Sequence, residues 1–164
     1  MGKLAVLALR IVLAMVLVGS VFIQAVMVPL IAIDLGDDPD LIHVRVPIIV
    51  ILILGVATVE VTVVCIWRLL TIIRRGTVFS DEAFRYVDIV IGAIAAASVL
   101  TFAFGTTLAP GEAVPPGMVL LVGGAGVLIA GIALIVLVQR MLLSQAVARD
   151  AEAQHLQSEL DEVI

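Results

Sequence analysis

Charge is scarce in this sequence. Only 14% of its 164 residues are charged and 4% are aromatic, whereas 63% are hydrophobic and the mean hydropathy is +1.29. Soluble domains contain about 25% charged residues. The apolar residues come in long blocks, which indicates a membrane protein rather than a large soluble core.

Four stretches contain neither lysine nor arginine and are long enough to cross a bilayer, which takes about 17–25 helical residues. They are Ile11–Ile33, Val46–Trp67, Ile89–Leu108 and Met118–Val138. Their apolar runs are continuous rather than alternating, which favours helices over a β-barrel. The first run is too long for the core of a signal peptide and follows Arg10, so we interpret it as a retained helix.

The predicted fold is therefore all-α: an integral membrane four-helix bundle with a short cytoplasmic helical tail. The bundle domain is predicted over residues 1–143, with helices at about 4–33, 46–73, 81–108 and 118–143. Residues 144–164 are predicted to continue the fourth helix as a polar, amphipathic tail.

Residues that build enzyme and metal sites are few. Cys65 is the single cysteine, which excludes an intramolecular disulfide and a cysteine-based metal site. His43 and His155 are expected on opposite sides of the membrane and cannot share a metal ion. No serine–histidine–aspartate set or pair of catalytic carboxylates can be assembled on one side. We expect no enzyme activity, no metal and no cofactor.

Lysine and arginine are distributed unequally between the two sides of the membrane. Of nine such residues, Arg45 alone flanks the side with loops 34–45 and 109–117. The others flank the side with both termini and loop 74–88. Because cytoplasmic segments carry the excess of lysine and arginine, we predict a multi-pass protein with both termini in the cytoplasm.

The cytoplasmic loop RRGTVFSDEAFRYVD is predicted to end one helix and begin the next. Gly76 fits the position after the second helix, and Ser80 can cap the third. Phe79 and Phe84 occupy the positions of a hydrophobic staple. The loop and the tail together supply a candidate partner surface: Phe79, Ser80, Phe84, Arg85, Leu156 and Leu160.

Two segments resemble a known family. The segment GTVFSDEAFRYVDIVIG and the ending LLSQAVARDAEAQHLQSELDEVI are similar to those of a bacterial four-helix membrane family catalogued as domain of unknown function 2975. The resemblance covers essentially the whole chain and implies the bacterial inner, or plasma, membrane. It also implies a possible regulatory partner, an Xre-type helix-turn-helix regulator encoded nearby. Glu60 departs from the family pattern.

Glu60 is the sharpest polar feature because it lies near the middle of an apolar run. A charge there costs about 2.5–3.5 kcal/mol on insertion scales. We therefore predict that its carboxyl points into the bundle and has a hydrogen-bond partner. The candidate intramembrane polar cluster is Glu60, Gln24, Ser20 and Thr101. A structural pair, a proton- or ion-carrying site and an oligomer contact all remain open.

Small residues recur at helical spacing in the last two runs. Such residues let helix backbones approach closely in lipid. The candidate packing residues are Gly92, Ala96, Gly123, Gly126, Ala130 and Ala133. Packing within one bundle and a homodimer seam are both compatible with this pattern. A phosphate-binding role for the glycines is excluded, because no P-loop lysine follows them.

The function predicted from these features is that of a non-enzymatic membrane protein which binds or signals to a cytoplasmic or membrane partner. The tail is acidic, which argues against adsorption to anionic lipid, and nothing is basic enough to bind nucleic acid directly. The alternatives are a small proton-coupled transporter or accessory subunit that uses Glu60, and a purely structural membrane-association module.

Overall fold

The computed structural model describes residues 3–37, 42–74, 81–109 and 114–163, and every regular element in these ranges is helical. In chain order the elements are α1 (Lys3–Phe22), a short π-helix (Ile23–Met27), α2 (Val28–Asp37), α3 (Ile42–Arg74), α4 (Asp81–Leu108) and α5 (Pro116–Val163).

Four helical segments are long and apolar enough to cross a membrane. They are Val6–Gly36, Val44–Ile72, Ala83–Leu108 and Pro116–Ser158. Large apolar side chains on them are exposed, as lipid-facing side chains are; Leu120 is 79% exposed and Leu128 is 71% exposed. The predicted all-α, four-helix membrane fold is confirmed.

Each membrane helix packs against the next one along the chain. The α1–α2 segment packs on α3, α3 on α4, and α4 on α5. Among the described residues, the backbones of α1 and α5 do not approach each other. The bundle is therefore arranged as a row with α1 and α5 outermost, and an apolar cluster of Leu13, Val63 and Leu70 holds α1 against α3.

The first membrane segment is interrupted by the π-helix, which a proline explains. Pro29 has no N–H to donate to the carbonyl of Ala25 four residues earlier, and its ring crowds that carbonyl. The preceding turn widens instead, so that the Val28 N–H donates to the carbonyl of Ile23, five residues back. Widened turns of this kind are frequent at functional sites.

Two glycines lie against side chains of the opposite helix where α4 packs on α5. A Cβ added at Gly126 would lie 3.1 Å from two carbon atoms of the Phe102 ring, and one added at Gly105 would lie 3.3 Å from Val122 Cγ1. At the same place the Ser98 hydroxyl donates to the Gly126 carbonyl at 2.8 Å. A side chain at position 126 would therefore require the Phe102 ring or α5 to move.

Two helix boundaries bear on the sequence predictions. α4 begins at Asp81, and Ser80 and Phe79, with the capping and staple interactions predicted for them, lie outside the described residues. α5 runs from Pro116 to Val163 without a break for 48 residues. Its outer part therefore continues the membrane helix rather than folding back, and residues 148–158 are exposed.

Candidate functional site

The structure brings Ser20 and Glu60 together across the α1–α3 interface. The two oxygens, Ser20 Oγ and Glu60 Oε1, lie 3.2 Å apart. Ser20 is buried and Glu60 is half-buried. Both residues lie near the middle of their membrane segments, so this hydrogen bond lies far from either membrane surface.

The hydrogen bonds of Ser20 limit how protons can be arranged at this pair. Ser20 Oγ is also 2.9 Å from the carbonyl oxygen of Leu17, yet a hydroxyl carries only one proton to donate. If that proton goes to Leu17, the Ser20 oxygen is left to accept a proton carried by Glu60. If it goes to Glu60, the carboxyl needs no proton for this bond. The hydrogen bond between the two side chains can therefore run in either direction.

The other two members of the predicted polar cluster are placed differently. Gln24 lies in the π-helix, one turn beyond Ser20, and is half-buried; among the described residues its side chain has no hydrogen bond to Glu60. The Thr101 hydroxyl donates to the carbonyl of Ala97 in its own helix, at 2.8 Å. The Thr101 hydroxyl proton is therefore used within α4, and among the described residues no hydrogen bond joins Thr101 to Glu60.

The predicted packing residues divide into two groups. Gly126 and Ala133 are buried in α5, and Gly123 and Ala130 are half-buried. Gly92 and Ala96 are exposed instead, and a Cβ added at Gly92 would meet nothing within 4 Å. Gly92 therefore makes no close contact with another helix in the described part of the chain. Ala96 borders an apolar groove of about 600 Å³ between α3 and α4.

The predicted partner surface is partly described. The guanidinium carbon of Arg140 lies 5.8 Å from the centre of the Phe84 ring, and Arg140 Nη2 lies 2.8 Å from Asp88 Oδ2. Phe84 is therefore half-buried under an α4–α5 ion pair. Arg85 is exposed, and Leu156 on the tail is 57% exposed. The side chain of Leu160 lies outside the described set.

Sequence reasoning overlooked two interactions that join the helices. Ser98 forms a hydrogen bond from α4 to α5. The sequence feature that could have indicated it is a single serine hydroxyl next to the alanine-rich run of α4. Arg10 bonds α1 to α3: its Nη2 lies 3.5 Å from Thr71 Oγ1, and its guanidinium lies over the Trp67 ring with 5.8 Å to the centre. The sequence feature that could have indicated it is an arginine next to an apolar run, because such a residue requires polar partners.

Residues 30–164 match the family described as Protein of unknown function (DUF2975). The chain belongs to this family. The match includes α3, α4 and α5 with the tail, and therefore Glu60, whereas the whole of α1, with Ser20, precedes the matched DUF2975 residues. No curated protein and no solved structure matches the chain. The family description assigns chemistry to no residue.

Proposed function

We propose that this protein is a non-enzymatic anchor in the bacterial cell membrane that presents a helical tail to a protein partner at the cytoplasmic face. One observation carries the proposal: α5 continues far beyond the length that a membrane requires. Its 48 residues correspond to about 72 Å at about 1.5 Å per residue. The hydrocarbon core takes about 30 Å.

The surface of the tail supports binding rather than packing within the chain. Residues 148–158 are all exposed, including Leu156 at 57%. A helix held outside the bilayer without covering its apolar residues has surface available for another protein. The cytoplasmic placement rests on the excess of lysine and arginine at the end of the bundle with both termini.

The charge of the tail indicates the chemistry of the partner. Residues 144–164 contain Arg149 as their single basic residue, with five acids: Asp150, Glu152, Glu159, Asp161 and Glu162. Such a surface favours a basic protein surface and disfavours anionic lipid. The family resemblance implies one candidate of this kind, an Xre-type DNA-binding regulator encoded nearby.

Site-specific photo-crosslinking in native membranes tests this function. A photoreactive amino acid at Leu156 should crosslink to a protein that mass spectrometry identifies. The same group at Leu128, which is 71% exposed within the membrane segment, is the matched control and should not capture that protein. Glu152→Lys should weaken the crosslink at Leu156. Equal capture from both positions, or capture unaffected by Glu152→Lys, would contradict a docking tail.

The pair of Ser20 and Glu60 supports a second function, proton-coupled transport or an accessory role in it. The observation that favours it is a titratable carboxyl hydrogen-bonded in the middle of the membrane, where such groups often belong to proton pathways. Glu60→Gln keeps the shape and the hydrogen bond but has no acidic proton. In liposomes, proton flux that disappears in Glu60→Gln while thermal stability is kept would support this role. Equal flux in both proteins would reject it.

A further inference from the structure

A second polar site lies at the end of the α1–α3 pair that carries the N-terminus. Arg10 is near the beginning of the segment Val6–Gly36, and Thr71 is near the end of the segment Val44–Ile72. These two helices run in opposite directions, so both residues lie where the membrane interior meets the headgroups. Trp67 is next to them and is 39% exposed, as interfacial tryptophans are.

The described contacts of Arg10 are all with neutral groups. Its guanidinium lies over the Trp67 ring, and its Nη2 donates to Thr71 Oγ1 at 3.5 Å. The Thr71 hydroxyl uses its own proton for the carbonyl of Trp67, at 3.0 Å, so its oxygen is free to accept. Arg10 Nε is buried and has no hydrogen-bond partner. In the described part of the chain, no carboxylate pairs with Arg10.

Arg140 at the same end of the bundle provides an internal comparison. It also lies over an aromatic ring and also has a buried Nε without a partner. Its charge, however, is compensated by Asp88 Oδ2 at 2.8 Å. Among the residues that the structure describes, these two arginines therefore differ in one respect: a carboxylate pairs with Arg140 and none pairs with Arg10.

We propose that Arg10, Trp67 and Thr71 form a binding site for the phosphate of an anionic lipid headgroup. The guanidinium is a planar fork that fits phosphate oxygens, and stacking on an aromatic ring leaves its edge available for them. Arg68 is exposed and lies three residues before Thr71, on the same face of α3. It adds a second positive charge on the approach to the site. The acidic tail, by contrast, is not part of this site, and the proposal does not depend on the tail's function.

Trp67 provides the assay because it is the single tryptophan of the chain. The full-length protein is placed in phosphatidylcholine vesicles that contain increasing fractions of phosphatidylglycerol. We expect a saturable change in Trp67 emission. Arg10→Gln should require about fivefold more phosphatidylglycerol for the same change, since one basic residue near an anionic surface contributes about that factor. Arg140→Gln is the matched control and should respond as wild type does.

Three results would overturn the proposal: no change with phosphatidylglycerol, an unaltered response in Arg10→Gln, or an equal loss in Arg140→Gln. Inorganic phosphate added to pure phosphatidylcholine vesicles should leave the emission unchanged. A saturable change in Trp67 emission with inorganic phosphate would identify free phosphate, rather than a lipid headgroup, as the ligand.

If Arg10→Gln does not fold, Arg10→Lys can be measured in the same vesicle assay. Lysine keeps the charge but lacks the planar fork, so this variant should still need more phosphatidylglycerol than wild type. A response identical to wild type would overturn recognition by the guanidinium.

Discussion

The most specific energetic prediction concerns Gly126, where α5 lies closest to α4. In Gly126→Ala, the new methyl group would stand 3.1 Å from Phe102 Cε2 and Cζ and 3.2 Å from Cδ2. Carbon atoms pack at about 3.5–4.0 Å. Either the ring must rotate away or α5 must move back, by roughly half an ångström by the same standard.

The backbone at this position cannot move without a further loss. The Gly126 carbonyl accepts the Ser98 hydroxyl at 2.8 Å in a buried hydrogen bond, which a displaced α5 would stretch. The ring has some freedom, because Phe102 is 41% exposed. We therefore expect the steric conflict to cost about 1–3 kcal/mol, the range for overpacked sites.

Gly124→Ala is the matched control for this variant. A Cβ at Gly124 meets nothing within 4 Å, and alanine is favoured over glycine in a helix by up to about 1 kcal/mol. The control should be as stable as wild type or more stable. Both variants gain the same helix propensity when glycine is replaced by alanine. The difference between their unfolding free energies therefore measures the cost of the steric conflict with Phe102.

Reversible unfolding by dodecyl sulfate in mixed micelles, followed by circular dichroism, measures this difference. Gly126→Ala should unfold at a lower fraction of dodecyl sulfate than Gly124→Ala. Adding Phe102→Leu to each variant should remove most of the difference, because the two sites are then no longer coupled. Equal stability of Gly126→Ala and Gly124→Ala would refute the close approach of α5 to the Phe102 ring.

Three further predictions test other parts of the molecule. Ser98→Ala removes the buried α4–α5 hydrogen bond and should lower the unfolding free energy by about 0.6–1.7 kcal/mol; Thr101→Ala removes only a bond within α4, and an equal effect in both would contradict an interhelical role. Asp88→Asn neutralises the exposed partner of Arg140 and should cost about 0.2–1 kcal/mol at low salt; a loss that persists in high salt would argue against a screened ion pair. In a chain without its native cysteine, a cysteine at position 38 should react with impermeant reagents from outside and one at position 77 from inside; labelling of both from one side would reject the predicted orientation.

The four helices and their approximate limits could be predicted from the sequence because they depend on local properties. Lipid supplies no hydrogen bonds to the backbone, so each long apolar run must satisfy its own N–H and C=O groups as a helix. The observed helix limits differ from the predicted ones where a helix extends beyond the end of its apolar run. α3 begins at Ile42 rather than at residue 46, because Arg45 ends the apolar run without ending the helix. Pro116 begins α5, two residues before the predicted start, at a position that proline favours.

The candidate sites were predictable only in part. The cost of an isolated carboxyl in lipid required that Glu60 have a partner, and Ser20 and Gln24 were both at a suitable depth. Which of them bonds to Glu60 depends on the direction in which each side chain leaves its helix, and Gln24 lies in the π-helix whereas Ser20 lies in α1. The proline was visible in the sequence, but the direction in which each side chain points was not.

What the sequence by itself determined is the class of protein: composition and run length specify four membrane helices, and the distribution of arginine and lysine predicts their orientation. What only the tertiary structure decided is which residues on those helices meet. Gly92 and Gly126 are both glycines in apolar helices, yet Gly92 is exposed and Gly126 lies against Phe102. Arg10 and Arg140 are both arginines near the same end of the bundle, yet within the described ranges a carboxylate pairs with Arg140 and not with Arg10. The physical reason is that membrane insertion depends on properties summed along each helix, whereas packing and pairing depend on which face each helix turns toward its neighbour.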